Sequence, residues 1–167
     1  MASEWERKSL EKIIKPKDLP KLVQDLRKSK KTIATLNGSF DLMHAGHLHM
    51  LYQASLQADV LILALNTDAS IKKYKDPSRP VIPLKYRLQM MAAISFVDFV
   101  TYFKETTPKK ILSVIAPDVH VNGAEYGENC LEADIVKQNG GKIHIVTLKD
   151  GLSTSKLIQK IKETCVL

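Results

Sequence analysis

Apolar residues in this chain come in two alternating arrangements: short unbroken runs, and longer stretches in which they recur every three or four positions. Thr32-Ile33-Ala34-Thr35-Leu36 is the first run and reads as a buried strand, broken by Asn37-Gly38. Val60-Leu61-Ile62-Leu63-Ala64-Leu65 is continuous, as expected of a strand covered on both faces, and stops at Asn66-Thr67-Asp68. Residues 99–102, 119–121 and 143–146 are further short apolar runs. Between the runs lie helical spacings. Leu19, Leu22, Val23 and Leu26 follow Asp18, with Pro20 tolerated in the first turn. Leu48, Leu51, Tyr52 and Ser55 form a second set, and Leu84, Leu88, Met91 and Ala92 a third, after Pro83. Ile111, Leu112 and Ile115 follow Pro108, residues 131–139 are stopped by Gly140-Gly141, and residues 153–163 form the last helix. Residues 72–80 read as a polar, basic loop and residues 1–12 as a polar surface helix. Strand–helix alternation of this kind predicts the α/β class, a parallel sheet of about five strands with helices on both faces. The expected organisation is a helical extension over residues 1–30 packed on a domain spanning 31–167, a single domain overall.

Composition narrows the function classes. With 44% hydrophobic and 26% charged residues, the 167-residue chain has the make-up of an ordinary soluble globular protein. No apolar run approaches the ~20 residues that cross a bilayer, and the first ten residues lack the apolar core of a secretory signal. The expectation is a cytoplasmic protein with no membrane partner, with Cys130 and Cys165 as free thiols. The net charge of +7 admits nucleic-acid binding, but the 25 Lys and Arg are scattered, only 6% of residues are aromatic, and Lys28-Ser29-Lys30-Lys31 is the densest basic block. A pocket for small polyanions fits better, and most of the lysines are solvated surface in either case. A domain of this size built on a parallel sheet is also expected to pair as a homo-oligomer.

In parallel sheets ligands bind beyond the carboxyl ends of the strands, and those loops hold the chain's chemistry. The first strand runs through Asn37, Gly38 and Ser39 to a helix that opens His44-Ala45-Gly46-His47. Unpaired N–H groups at a helix start carry partial positive charge, so a phosphate can sit there with two imidazoles beside it. A metal site would need a third ligand, and no Cys or His lies at useful spacing. Histidines that merely cap or pack are the plain alternative; Gly46 between them argues against it, because glycine is costly in a helix unless something approaches closely. The second strand leads to Asn66, Thr67 and Asp68, then to the lysines and Arg79; the fourth to Asn122-Gly123-Ala124-Glu125-Tyr126. After the fifth, in Asp150-Gly151-Leu152-Ser153-Thr154-Ser155, Ser153 or Thr154 can cap a helix and make a second anion site. Two helix N-termini converging on one sheet edge suit a polyphosphate.

The segment Asn37–His47 resembles the signature of the HxGH cytidylyltransferase-like nucleotidyltransferases, and residues 150–155 look like that family's second, Gly-hydrophobic-Ser-Thr-Thr signature. The likeness covers about residues 13 to 162 and is strongest to the bacterial heptose 1-phosphate adenylyltransferase branch. Residues 37–41, 66–70 and 78–84, together with Lys30-Lys31 at the end of the first long helix, carry that finer likeness. The resemblance implies a Rossmann-like three-layer sandwich of the HxGH type and transfer of AMP from ATP to a sugar 1-phosphate, with pyrophosphate released and Mg2+ accompanying ATP. It also implies roles. His44 and His47 would hydrogen-bond the triphosphate and stabilise charge at the α-phosphorus, Lys75 or Lys73 would approach the leaving phosphates or the acceptor, and Arg87 would contact the triphosphate. Asn37, Gly38, Ser39, Phe40, Gly46, Gly123, Glu125, Tyr126, Ser153 and Thr154 would surround the nucleotide. Asp41, Asn66, Lys73, Arg79 and Asn122 would serve the acceptor. Ser39, Asn122, Ala124-Glu125 and Ser155 depart from the family's usual residues, and those from 122 to 125 fall where base and acceptor are recognised. A glycerol 3-phosphate cytidylyltransferase-like enzyme using CTP and a non-catalytic nucleotide-binding module are the competing functions.

Overall fold

A computed structural model of the chain describes residues 3–147 and 153–165. Five strands, β1 (Ile33–Gly38), β2 (Val60–Asn66), β3 (Phe99–Phe103), β4 (Val119–Gly123) and β5 (Lys142–Val146), form one parallel sheet in the order β3-β2-β1-β4-β5. Among the described residues eight helices accompany them: α1 (Glu4–Glu11), α2 (Leu19–Lys28), α3 (Ala45–Ser55), α4 (Asp68–Tyr74), α5 (Leu84–Ala92), α6 (Lys109–Ile115), α7 (Ala133–Gln138) and α8 (Thr154–Thr164). This is the expected α/β, Rossmann-like arrangement. The chain steps outward from β1 to β3, then returns to the far side of β1 for β4. The order therefore reverses between β1 and β4, and a crevice opens at their carboxyl ends.

Strand alternation explains the layering. In β2 every residue is buried, with Leu61, Leu63 and Leu65 in one core and Val60, Ile62 and Ala64 in the other. The first core holds Leu51 and Ala54 of α3 with Leu88, Met91 and Ala92 of α5; the second holds Leu19 and Val23 of α2 with Ile111 and Ile115 of α6. Helices thus cover both faces. Arg27 of α2 donates to Asp118 at 2.6 Å, and Asp118 also accepts the N–H of Ile33, so α2 is pinned to the start of β1. At the N-terminal end Ile13 bridges in parallel to Val100, and Lys12 Nζ reaches the carbonyls of Ile94 and Val97. The outer edge of β3 is covered in this way.

Four local expectations are corrected. Asn37 and Gly38 do not break β1 but pair with Ala64 and Leu65, which carries the strand two residues closer to the histidines. Residues 72–74, expected to open the basic loop, instead complete α4 (Asp68–Tyr74), which is capped by the Thr67 hydroxyl accepting from the Ser70 N–H. In α3, Leu48 and Tyr52 point outward and Gly46, Leu51 and Ala54 inward, a register set one position off the expected apolar face. Leu131 and Glu132 precede α7 rather than belonging to it.

Candidate active site

The crevice between β1 and β4 is a cavity of about 520 Å³, within the range that holds a nucleotide-sized ligand. Its lining comes from every carboxyl-end element near the reversal. Leu36 to Gly38 come from β1, with Ser39 and Phe40 just beyond it, Asn122 and Gly123 from β4, His44, Gly46 and His47 from the start of α3 with Met50 further along it, and Ser153, Thr154 and Ser155 from the start of α8. Tyr74, Lys75, Glu125, Tyr126, Leu131 and Glu132 add to the wall.

Both helix starts face the cavity, as the sequence predicts. His44 is the N-cap of α3 in extended backbone (φ −146°) and its side chain makes no capping bond. Its ring lies 3.9 Å, centroid to centroid, from that of His47 one turn on, and His47 in turn packs 5.7 Å from Phe40. The Nδ1 atoms of both histidines are buried without a partner among the described residues, an expensive arrangement that a ligand oxygen would relieve. Burial, the neighbouring His44 and Lys75 push His47 down to about 4, and burial also lowers His44, so both rings are neutral at pH 7 in the free protein. Across the cavity, Ser153 caps α8 by accepting from the Lys156 N–H, and the Thr154 hydroxyl donates to the Leu42 carbonyl at 3.3 Å. That last bond ties the second helix start to the loop ahead of the first. Asp150, Gly151 and Leu152 lie outside the described residues.

Among the described residues Lys75 is the lysine or arginine that lines the cavity. Its Nζ stands 3.1 Å from the Ser39 hydroxyl, and burial and Arg79 lower its pKa. Phe40 lines the cavity with part of its ring but belongs to the core, in a left-handed backbone conformation (φ +45°). A Cβ on Gly38 would stand 3.3 Å from that ring, a tight contact that would press on Phe40 by a few tenths of an ångström. Gly123 is covered by Glu125, whose carboxylate a Cβ there would strike. Asn66 reaches the cavity wall while its amide donates to the Ser70 hydroxyl.

Four residues expected to touch ligand do not line the cavity. Arg87 is fully buried: its guanidinium donates to the carbonyls of Ile82, Ser39 and Asn66 and pairs with Asp68 at 2.7 Å. It holds the carboxyl ends of β1 and β2 and the start of α4 in place instead of contacting a triphosphate. Asp41 is equally committed. Burial alone would raise it, but the N–H groups of Ile82 and Val81 and the Arg79 guanidinium, 2.6 Å away, hold it below the usual carboxylate range. Asp41 and Arg79 therefore clip residues 79–82 over the β1 end. Lys73 lies exposed on α4, away from the cavity.

One residue of the cavity wall, Glu132, carries no motif and was not foreseen. It is 7% exposed, and its carboxylate oxygens take long contacts from the amides of Asn37 (3.5 Å) and Asn122 (3.3 Å). Behind it lies His120, fully buried, with Nδ1 2.7 Å from the Thr35 hydroxyl. A buried acid directly before a helix looks like an N-terminal helix charge in sequence; the two asparagines that face it come from strands far away in the chain.

Comparison with known proteins decides the family. Residues 35–160 match the family described as Cytidylyltransferase-like, which is most of the chain and nearly all of the sheet. The chain belongs to the cytidylyltransferase-like family. Among curated relatives it is 43% identical over 160 residues to the bifunctional protein HldE of Campylobacter jejuni subsp. doylei, covering 95% of this chain and 33% of that protein. To the protein of the same name from Pseudomonas putida it is 41% identical over 142 residues, 84% of this chain and 30% of the relative. The chain thus spans about a third of the length of the relatives it matches. Two solved structures share the fold. A lipopolysaccharide core biosynthesis protein from Thermoplasma volcanium has a TM-score of 0.58 at 22% identity, over 73% of this chain and 99% of that one. A pantoate–β-alanine ligase from Francisella tularensis has a TM-score of 0.59 at 15% identity, over 90% and 77%. Membership of the cytidylyltransferase-like family places the chain among nucleotidyltransferase enzymes. Among the described residues no helix of this cytidylyltransferase-like chain is long and apolar enough to cross a membrane. Cys130 is buried and Cys165 exposed, and both are free thiols.

Proposed function

We propose that the chain transfers AMP from ATP to a sugar 1-phosphate, D-glycero-β-D-manno-heptose 1-phosphate, forming ADP-heptose and releasing pyrophosphate. The observation that carries this reading is the convergence of two helix N-termini, a neutral imidazole pair with unpartnered Nδ1 atoms, and Lys75 on one cavity at the β1/β4 reversal. The likeness to HldE proteins over nearly the whole chain supports the choice of reaction.

In this reaction an oxygen of the acceptor phosphate attacks the α-phosphorus, a new P–O–P bond forms, and the bond from the α-phosphorus to the α,β-bridging oxygen breaks. The acceptor oxygen is already an anion, so the site needs no nucleophile–base pair and its work is positioning and charge stabilisation. His44 and His47 hydrogen-bond the oxygens at which charge grows, the α3 and α8 starts orient the phosphates through their N–H groups, and Lys75 faces the leaving pyrophosphate. Mg2+ accompanies the triphosphate and supplies charge neutralisation when bound. The residues fit an ion held through phosphate oxygens: the phosphate end is lined by imidazoles and Lys75, Asp41 is spent on Arg79, and the described residues gather no group of three His, Cys, Asp or Glu.

Pyrophosphate release from the purified chain tests the proposal, with ATP or CTP crossed against heptose 1-phosphate and glycerol 3-phosphate. Release with ATP and the sugar phosphate is expected. Release only with CTP and glycerol 3-phosphate would replace donor and acceptor, and none with any pair would remove the activity.

A further inference from the structure

We propose that Glu132 determines substrate specificity by accepting hydrogen bonds from a pair of sugar hydroxyls at the part of the cavity wall where Asn37 and Asn122 face it. This deepens the function proposed above and rests on it for the class of substrate.

The cavity wall carries both signs of charge. His44, His47, Lys75 and two helix starts attract anions, whereas Glu125 and the buried Glu132 repel them. Phosphates are therefore drawn to the imidazoles and Lys75, and what faces Glu132 is a neutral part of the substrate that donates hydrogen bonds. The acceptors there are clustered. Glu132 is held by two long amide contacts, at 3.5 and 3.3 Å, that leave lone pairs on both oxygens, and among the described residues it forms no ion pair with a lysine or arginine. Beside it the Asn37 Oδ1 atom is buried with no partner among the described residues, and Asn37 also lines the cavity. Three oxygens in search of donors match adjacent hydroxyls better than the single exocyclic amine of a base. The hydroxyls can belong to the ribose of the nucleotide or to the acceptor sugar.

Binding measurements separate those sources and do not depend on turnover. In one arm, calorimetric Kd values are taken for ATP and for 2′-deoxy- and 3′-deoxy-ATP. In the other, they are taken for heptose 1-phosphate and analogues lacking single ring hydroxyls. A hydrogen bond to a charged group corresponds to a deoxy penalty of roughly tenfold to a hundredfold in the unaltered protein. In Glu132→Gln that penalty falls below about threefold in one arm, and the arm affected names the sugar that is read. Glu132→Asp, which keeps the charge but withdraws it, shows the same collapse and serves if Glu132→Gln unfolds. Unchanged penalties in both arms overturn the inference. Absence of pyrophosphate release from the unaltered protein instead overturns the proposed reaction, so the two failures are distinguishable.

Discussion

Replacing Arg87 by methionine separates two accounts of this residue that differ in what they would lose. In the structure its side chain has no exposed surface, and its donors serve three backbone carbonyls, from Ile82, Ser39 and Asn66, besides Asp68. Methionine fills a similar length but leaves those carbonyls without a donor, at about 1–1.5 kcal/mol each. The pair with Asp68 adds no more than about 1 kcal/mol, because Asp68 is 40% exposed and keeps the Leu84 N–H. The expected loss of unfolding free energy is about 3–5 kcal/mol, equivalent to a fall in Tm of roughly 6–20 °C for a domain of this size. Urea unfolding followed by circular dichroism measures the first quantity, and ATP titration of the folded variant at low temperature measures ligand affinity. The structural account predicts a large loss of stability with ATP affinity changed less than about tenfold. Stability within about 1 kcal/mol of the parent, together with tenfold or greater weakening of ATP binding, would refute it and return Arg87 to the triphosphate.

Asp41→Asn is expected to cost about 2–3 kcal/mol at pH 7, since a buried carboxylate with three donors loses its charge there. Its native pKa lies below the unfolded value of about 3.9, so its stabilisation is present above that value and is lost as pH falls through the native one. The parent should therefore lose stability more steeply than the variant below about pH 4 in acid unfolding, and equal slopes would remove Asp41 from the balance. His47 carries the opposite kind of group. Its pKa of about 4 in the free protein rises when polyphosphate charge arrives, so ATP binding at pH 6 should take up protons. Calorimetry in two buffers of different ionisation heat reads this uptake, which Glu132→Gln should leave intact. Binding with no buffer dependence would place the phosphates away from the histidines.

The sheet was legible because its signals are local. Val60–Leu65 could only be a strand buried on both faces, and all of β2 is buried. The helix α4 was not legible: its seven residues bury only Ser70 and Ile71, so no apolar period marks it, and its cap is a single hydroxyl. Asn37-Gly38 carries a breaker's composition, yet ladder pairing with Ala64-Leu65 overrides it. The histidine and Ser153-Thr154 elements were legible because each sits at a helix start, and both reach the cavity. Arg87, Arg79 and Asp41 were misplaced for one shared reason: a charged residue close to a motif has the same letter whether it faces ligand or holds the loop beneath it. Glu132 escaped for the converse reason. Its meaning depends on Asn37, 95 positions away in sequence, and on Asn122 across a loop.

His47→Ala tests the central claim, that the paired imidazoles at the α3 start stabilise nucleotidyl transfer. Loss of one preorganised donor corresponds to about 2–4 kcal/mol of transition-state stabilisation, or roughly 30- to 1,000-fold in kcat/KM. The decisive measurement is pyrophosphate release by His47→Ala, with ATP and heptose 1-phosphate, alongside its thermal unfolding. The account predicts that loss in a variant that remains folded; a folded variant with parental activity would contradict it.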